Sequence, residues 1–312
     1  MDATTLGLIA YLGLLALAGS LVTGTMVSAF VAEAAYGLGR GKFRDKFGQQ
    51  AAAMGPKVLL LLLLLVAPPI AWGLSLAEDP LGLALSPYGK VIQAALAPLL
   101  AGWLGMAVYS GSWVALRRSK GLHRLLGGVS LLGLLAGLYS CINIGAAWML
   151  ADGISASSPW RMVWLPVSWG VWPVWAAVVG NGVGAAGVLG MGYLVLRRNK
   201  DDFGRDYYRF ALARAGRWGL VLLLPVVIAA AWLGYLGVAW PPALMVSLSV
   251  VAIAALAVVW LSARVMRSQH PLRLKGEIIV ACMLAWILDA ALVYALLIVA
   301  GVQVGSVSGV LF

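Results

Sequence analysis

The sequence predicts an all-α integral membrane protein with eight transmembrane helices. Of its 312 residues, 62% are hydrophobic and only 11% are charged, and the mean hydropathy is +0.96. A soluble domain of this length cannot bury so much apolar surface, so the solvent it fits is a lipid bilayer. Continuous apolar runs such as 58–66 and 250–261 lack the alternation of barrel strands, which leaves helices to satisfy the backbone in lipid.

The distribution of basic residues predicts the orientation of the chain. Twenty of the 22 Lys and Arg residues fall into four clusters, at 40–57, 117–124, 197–217 and 264–275. The stretches between clusters are long enough to cross a bilayer twice, which is the positive-inside pattern. We therefore expect both termini on the outer side of a bacterial cytoplasmic membrane, and we interpret the net charge of +11 as topology rather than nucleic-acid binding.

The first four predicted helices cover residues 5–37, 56–76, 91–116 and 125–150. The first helix runs into a basic cluster, and the second ends at an acidic outer loop. The third and fourth are joined by a basic segment short enough to be a turn.

The second four predicted helices cover residues 166–196, 214–236, 242–262 and 276–300. A longer outer loop precedes the first of them, and basic clusters separate the first from the second and the third from the fourth.

An internal repeat predicts that the chain consists of two parallel halves, 1–152 and 153–312. Arg44-Asp45-x-Phe47 recurs 161 residues later as Arg205-Asp206-x-Tyr208. At the same offset, three further residues recur: Ala52 as Ala213, Gly55 as Gly216 and Gly73 as Gly234. With four helices in each half, both halves cross the membrane in the same sense, as two parallel-repeat four-helix bundles.

Asp289 is the candidate catalytic residue. It lies thirteen residues into the eighth predicted helix, or about 20 Å from the inner surface. A charged carboxyl costs a few kcal/mol at that depth, so Asp289 is neutral, paired or beside a wet cavity. The sequence leaves open whether it is a structural acid bonded to a neighbouring helix or a group that exchanges protons.

Other polar residues predict a ligand pocket in the outer leaflet with Asp289. Its candidate members lie at similar depth or at the mouth of the third helix: Asn143, Asn181, Tyr88, Lys90 and Gln93. Around Asn181, glycines recur through residues 180–190, which predicts that another helix backbone packs closely there.

The remaining polar residues predict no haem and no metal site on this chain. Axial haem ligation needs histidine within the helices, whereas His123 and His270 fall in the predicted basic loops. Glu33 and Glu277 lie near the inner face, where we expect them to reach water or pair with loop arginines. The cysteines Cys141 and Cys282 show no disulfide or metal spacing.

Tryptophans predict a partner surface on the outer side. The nine at predicted outer ends are Trp72, Trp148, Trp160, Trp164, Trp169, Trp172, Trp175, Trp232 and Trp240. An interfacial aromatic belt explains some of them, but the density in 160–175 exceeds what a belt needs.

Two families of quinone-interacting membrane subunits resemble this chain. The segment 42–50 (KFRDKFGQQ) and Trp172-Pro-Val-Trp175 before Arg197-Arg198 are similar to loop patterns of the subunit I family of cytochrome bd quinol oxidases. Eight helices in two bundles of four resemble the polysulfide-reductase membrane-subunit family. That family's acidic-Gly-x-Pro signature is matched only loosely, by Glu-Asp-Pro at 78–80.

The resemblance implies an integral subunit of a respiratory redox complex with a site for menaquinone or ubiquinone near the outer face. The oxidase histidines that bind haem are missing, so partner subunits on the outer face would carry the haem or iron–sulfur clusters. A secondary transporter built on the same repeat, or a structural anchor without ligand, are the alternatives.

Overall fold

The computed structural model describes residues 3–35, 41–75, 79, 86–149, 171–201, 203–235 and 240–299. This part of the chain contains eight helical spans long and apolar enough to cross a membrane. The prediction of an all-α, eight-span membrane protein is confirmed.

Within these described ranges, nine α-helices build the eight spans. In chain order they are α1 (Ala3–Ala34), α2 (Gly41–Ser75), α3 (Pro87–Gly111), α4 (Lys120–Met149), α5 (Val171–Arg197), α6 (Arg205–Gly219), α7 (Leu223–Tyr235), α8 (Pro242–Arg267) and α9 (Lys275–Val299). A 3-10 turn, Leu220–Leu222, joins α6 to α7 within the sixth span, just before Pro225. Pro225 has no backbone N–H to donate, and a helix can change from α to 3-10 hydrogen bonding where such a donor is missing.

Two predicted basic loops are helical over part of their length. The helix starts predicted at residues 56 and 214 were wrong, because α2 begins at Gly41 and α6 begins at Arg205. α2 is 35 residues long, or about 52 Å, so its first turns extend beyond the hydrocarbon layer. The helix-favouring run Ala51–Ala53 lets the basic segment continue into the apolar one without a break.

The spans of each predicted half pack in a similar order. α1 packs against α2 and α3 against α4, while α5 packs against α6 and α7, and α8 packs against α9. In addition, α1 packs against both α5 and α9, so the two groups of four share an extensive interface. The division into halves at residue 152 stays a prediction.

Helices α1 and α5 cross in very close contact. A Cβ added to Gly24 would lie 1.8 Å from the carbonyl oxygen of Gly182, and one added to Gly182 would lie 2.2 Å from that of Ser20. Only glycine allows two backbones to approach this closely. Gly187 meets the α6 backbone in the same way, so close packing along the glycine-rich segment is confirmed, although Gly190 faces open space.

Candidate functional site

An apolar cleft of about 320 Å³ lies among α1, α4, α5, α7 and α9. It extends from the ends of α5 and α9 remote from the basic clusters to the middle of the bundle. Most of its wall is aliphatic, and includes Leu15, Leu138, Val178, Ile228, Leu292 and Leu296. Ser20, Asn181 and Asp289 supply its polar groups at mid-depth, and we call this feature the Asp289 cleft.

Asp289 and Asn181, predicted as one site, are in direct contact. The Nδ2 of Asn181 donates to Oδ1 of Asp289 at 2.7 Å and to Oγ of Ser20 at 3.2 Å. The Asp289 side chain is only 2% exposed. α1, α5 and α9 each contribute one member of this group, so the site forms only where the three helices meet.

Two oxygen atoms of this group have no hydrogen-bond partner within the described part of the chain. They are Oδ2 of Asp289 and Oδ1 of Asn181, and both are buried. An unpaired buried polar atom costs about 1–3 kcal/mol, so native proteins keep few of them. Asp289 and Asn181 line the cleft, so these two atoms can serve a ligand that carries its own polar atoms into an apolar space.

Three of the other predicted pocket members lie away from this site. Asn143, Lys90 and Gln93 are not among the described residues that line the cleft. Asn143 is fully buried and five residues beyond Leu138 on α4, about 7.5 Å farther along the helix. Lys90 and Gln93 are exposed at the start of α3, which packs on α2 and α4. The side chain of Tyr88 lies outside the described part.

A second polar group, which the sequence analysis missed, is buried at the basic end of the first four helices. The carboxylate of Glu33 is 0% exposed and accepts from the Tyr109 hydroxyl at 2.7 Å. The Nδ1 of His123, 1% exposed, lies 2.8 Å from both Glu33 oxygens, and its Nε2 lies 3.0 Å from the carbonyl oxygen of Tyr109. We call Glu33, Tyr109 and His123 the Glu33 cluster.

Hydrogen-bond accounting fixes the number of protons in the Glu33 cluster. The Tyr109 carbonyl can only accept, so Nε2 of His123 carries a hydrogen. Nδ1 faces a carboxyl group, so a further proton lies between them, on the imidazole or on Glu33. The pair is therefore either an imidazolium beside a carboxylate or a neutral imidazole beside a protonated Glu33. In both cases the two ring nitrogens of His123 are engaged in hydrogen bonds.

Lys120 connects the Glu33 cluster to the surface. Its Nζ lies 3.7 Å from Glu33 Oε1 and 2.6 Å from Asp45 Oδ1, and it sits over the Trp113 ring at 5.1 Å. The Lys120 side chain is 23% exposed. A buried acid–base pair thus has one charged neighbour that reaches solvent.

The loop assignment of His123 and the expected pairing of Glu33 with arginines were wrong. α4 begins at Lys120 rather than at residue 125, which places His123 inside the helix and turns it toward α1 and α3. Because the turn before α4 occupies only residues 112–118, the basic cluster divides between loop and helix. The signal available in the sequence was the Lys-Gly-Leu-His run ahead of an unbroken leucine-rich segment.

The tryptophan prediction lies partly outside the described residues. That applies to Trp160, Trp164 and Trp169, and to the side chains of Trp72 and Trp148. Trp172 is 42% exposed and lies against Tyr139, while Trp175 donates to the Leu135 carbonyl at 3.1 Å.

These features define an eight-span membrane protein with a buried acid at the end of an apolar cleft. No protein-family model matches the chain, and no curated protein matches it.

Proposed function

We propose that this chain is an integral subunit of a respiratory redox complex and that the Asp289 cleft binds the head group of a quinone or quinol. The observation that carries the proposal is the unpaired Oδ2 of Asp289 at the inner end of an apolar cleft. The complex would reside in the bacterial cytoplasmic membrane. Redox partners with haem or iron–sulfur clusters would bind at the outer face, to which the positive-inside pattern assigns the cleft.

The lining of the cleft favours a lipid-soluble ligand. Aliphatic walls solvate a substituted ring and an isoprenoid chain, whereas a hydrophilic solute would lose its water shell without replacement. The volume of about 320 Å³ is sufficient for one ring, since ligand sites start at roughly 300 Å³. Entry from the bilayer suits a ligand that is stored there.

The polar atoms match both forms of such a ligand. Interconversion of quinol and quinone moves two electrons and two protons. Ionised Asp289 or Asn181 Oδ1 accepts the one hydrogen bond that a quinol hydroxyl donates, and protonated Asp289 donates to the carbonyl of a quinone. Asp289 would take one of the two hydroxyl protons of a quinol, the second would pass to water at the outer mouth of the cleft, and both electrons would pass to the redox centre of a partner subunit, while Asn181 holds the carboxyl in place.

One observation favours a secondary transporter as the second candidate. Ser20 and Asn181 are 161 residues apart, the offset of the sequence repeat, and they bond to each other where α1 crosses α5. Transporters built from repeats bind their ions and substrates at the repeat interface. In that case Asp289 would couple an ion to solute movement and would have no redox role.

Substitution of Asp289 separates the candidates. Asp289→Asn keeps the shape and the hydrogen bonding of the side chain but cannot exchange a proton. We expect the complex to assemble and its quinol-dependent electron transfer, measured with a soluble decyl-quinol, to fall at least tenfold, about 1.4 kcal/mol of barrier. Glu277→Gln is the control, because it makes the same chemical change on α9, at a side chain paired with Arg264.

Each outcome has a distinct meaning. Wild-type electron transfer in an assembled Asp289→Asn complex would remove Asp289 from the quinone chemistry. Lost solute flux in vesicles with intact electron transfer would favour the transporter. Tolerance of Asn together with loss of assembly in Asp289→Leu would assign the carboxyl to packing, since leucine removes the nearer of the two acceptors of Asn181 Nδ2.

A further inference from the structure

A second cleft, on the basic side of the molecule, concentrates positive charge. It encloses about 610 Å³ between the start of α2, one face of α6 and the end of α8. Its lining includes four arginines and one acidic residue, Asp206. The arginines are Arg44, Arg209, Arg214 and Arg217. We call it the arginine cleft.

The folding of α6 holds these arginines on one face. Tyr207, Tyr208, Ala211, Leu212 and Ala215 are buried on the opposite face against the rest of the bundle. Three arginines of α6 lie on the remaining surface, and all three line the same cleft. Arg44, from the start of α2, faces them across the cleft.

Among the described residues of the lining, one carboxylate faces four guanidinium groups, so most of the positive charge in this cleft is not compensated. Elsewhere on the basic side, Arg197 pairs with Asp201, Arg264 with Glu277 and Lys120 with Asp45. None of the four arginines forms an ion pair within the described ranges. Arg44 instead donates to the Ala35 carbonyl at 2.6 Å, and Arg214 lies over the Trp218 ring at 5.5 Å.

The floor of the cleft is apolar. Phe43 and Phe210 contact each other with ring centroids 5.7 Å apart, and Ala213 and Met266 continue the same surface. A free inorganic anion needs only the guanidinium groups. An amphiphile with a phosphate group and a hydrocarbon chain uses both parts of the wall.

We propose that the arginine cleft binds the phosphate group of an anionic phospholipid, with the start of an acyl chain on the Phe43–Phe210 floor. Guanidinium groups bind phosphate oxygens through two parallel hydrogen bonds, a geometry that ammonium groups lack. Basic pockets at the end of membrane-spanning helices are placed at the depth of lipid head groups. This proposal is independent of the quinone proposal, because it concerns a different cleft at the opposite end of the spans.

Native mass spectrometry of the purified chain tests the proposal. Cardiolipin, phosphatidylglycerol and phosphatidylcholine are added separately, and retention of each lipid is measured for the wild type and for Arg209→Gln/Arg214→Gln. We expect the double variant to lose about tenfold or more of its affinity for the two anionic lipids and to keep its weak binding of phosphatidylcholine. Arg117→Gln/Arg118→Gln is the control, since it removes two exposed charges from the same side.

Equal losses in the two double variants would overturn the proposal, because nonspecific surface charge would then explain the binding. A parallel titration with pyrophosphate distinguishes the source of the phosphate. Binding of pyrophosphate as tight as that of cardiolipin would assign the cleft to a soluble anion and also overturn the lipid proposal. Phe210→Ala provides a further check: it should weaken retention of cardiolipin more than binding of pyrophosphate. Equal effects of Phe210→Ala on both ligands would contradict a role for the apolar floor.

Discussion

The two sets of four spans differ most where they carry ionisable residues. α4 and α9 both begin with Lys-Gly, 155 residues apart, and at this offset His123 corresponds to Ile278. At the offset of 161, Glu33 corresponds to Leu194. The first set therefore buries an acid–base pair, Glu33 with His123. At the corresponding positions the second set has Leu194 and Ile278, which belong to one buried apolar cluster.

The relation is reversed at mid-depth. Asp289 of α9 corresponds to Leu134 of α4, which is fully buried among apolar side chains. Each set thus buries an acid at a level where the other has an aliphatic residue. Under the predicted repeat, neither acid is required by the packing of four spans, because the corresponding position is filled without one. Burial of an acid carries a cost in free energy, which supports a chemical role for Asp289.

The largest effect is expected from Glu33→Leu. This variant introduces at residue 33 the leucine that the second set has at the corresponding position and leaves the rest of the Glu33 cluster unchanged. His123 and Lys120 would lose their common carboxylate, and breaking a buried pair in this way costs about 3–5 kcal/mol. The measurement is the free energy of unfolding in detergent micelles. Glu277→Leu is the control: its carboxylate is 25% exposed and we expect a loss of about 1 kcal/mol or less.

The comparison becomes sharper if the whole cluster is replaced. In Glu33→Leu/His123→Ile/Tyr109→Phe, no polar partner of the pair is left unsatisfied, and apolar replacement of buried pairs is often neutral or stabilising. We expect the triple variant to recover most of the stability that Glu33→Leu loses. A triple variant as unstable as the single one would show that the two sets are not equivalent at this level.

An intermediate effect is expected at the crossing of α1 and α5. Gly24→Ala inserts a methyl group against the Gly182 backbone, and such overpacking costs about 1–3 kcal/mol. Gly7→Ala, on the same helix with no atom within 4 Å of the added carbon, should leave the unfolding free energy nearly unchanged. Similar values for both variants would contradict the close crossing.

The smallest effect concerns the loop between α5 and α6, which contacts α2. The hydrogen bond from Arg197 lowers the pKa of Asp201 below its ordinary value of 3.8, and Gln50 of α2 adds a contact at 3.4 Å. Because the pKa is lowered by folding, the stabilisation is complete above the ordinary pKa and is lost as the pH falls through the folded value.

Asp201→Asn tests this linkage. We expect it to destabilise the protein at pH 7 by about 0.3–0.5 kcal/mol, the range for an i,i+4 pair at the surface. Thermal unfolding of the variant and the wild type should converge as the pH falls below 3.8. A difference that persists unchanged at low pH would contradict the ionic origin of the effect.

The spans could be predicted from sequence because they depend on hydropathy along the chain, whereas the polar contacts depend on helix rotation and register. The sequence predicted only that Asp289 and Asn181 lie at a similar depth in the membrane. Their contact also requires that α5 and α9 turn these residues toward each other beside α1. Asn143 has the same depth pattern but does not line the cleft. His123 was missed because positive charge around it is typical of a loop, although the helix begins three residues earlier.

The glycine crossing of α1 and α5 also bears on biosynthesis. Gly24 and Gly182 are separated by more than half of the chain, so the first helix enters the bilayer long before the surface that covers it has been translated. Until then, Ser20 faces lipid or a chaperone rather than Asn181. Insertion and final packing of α1 are therefore separate events in time.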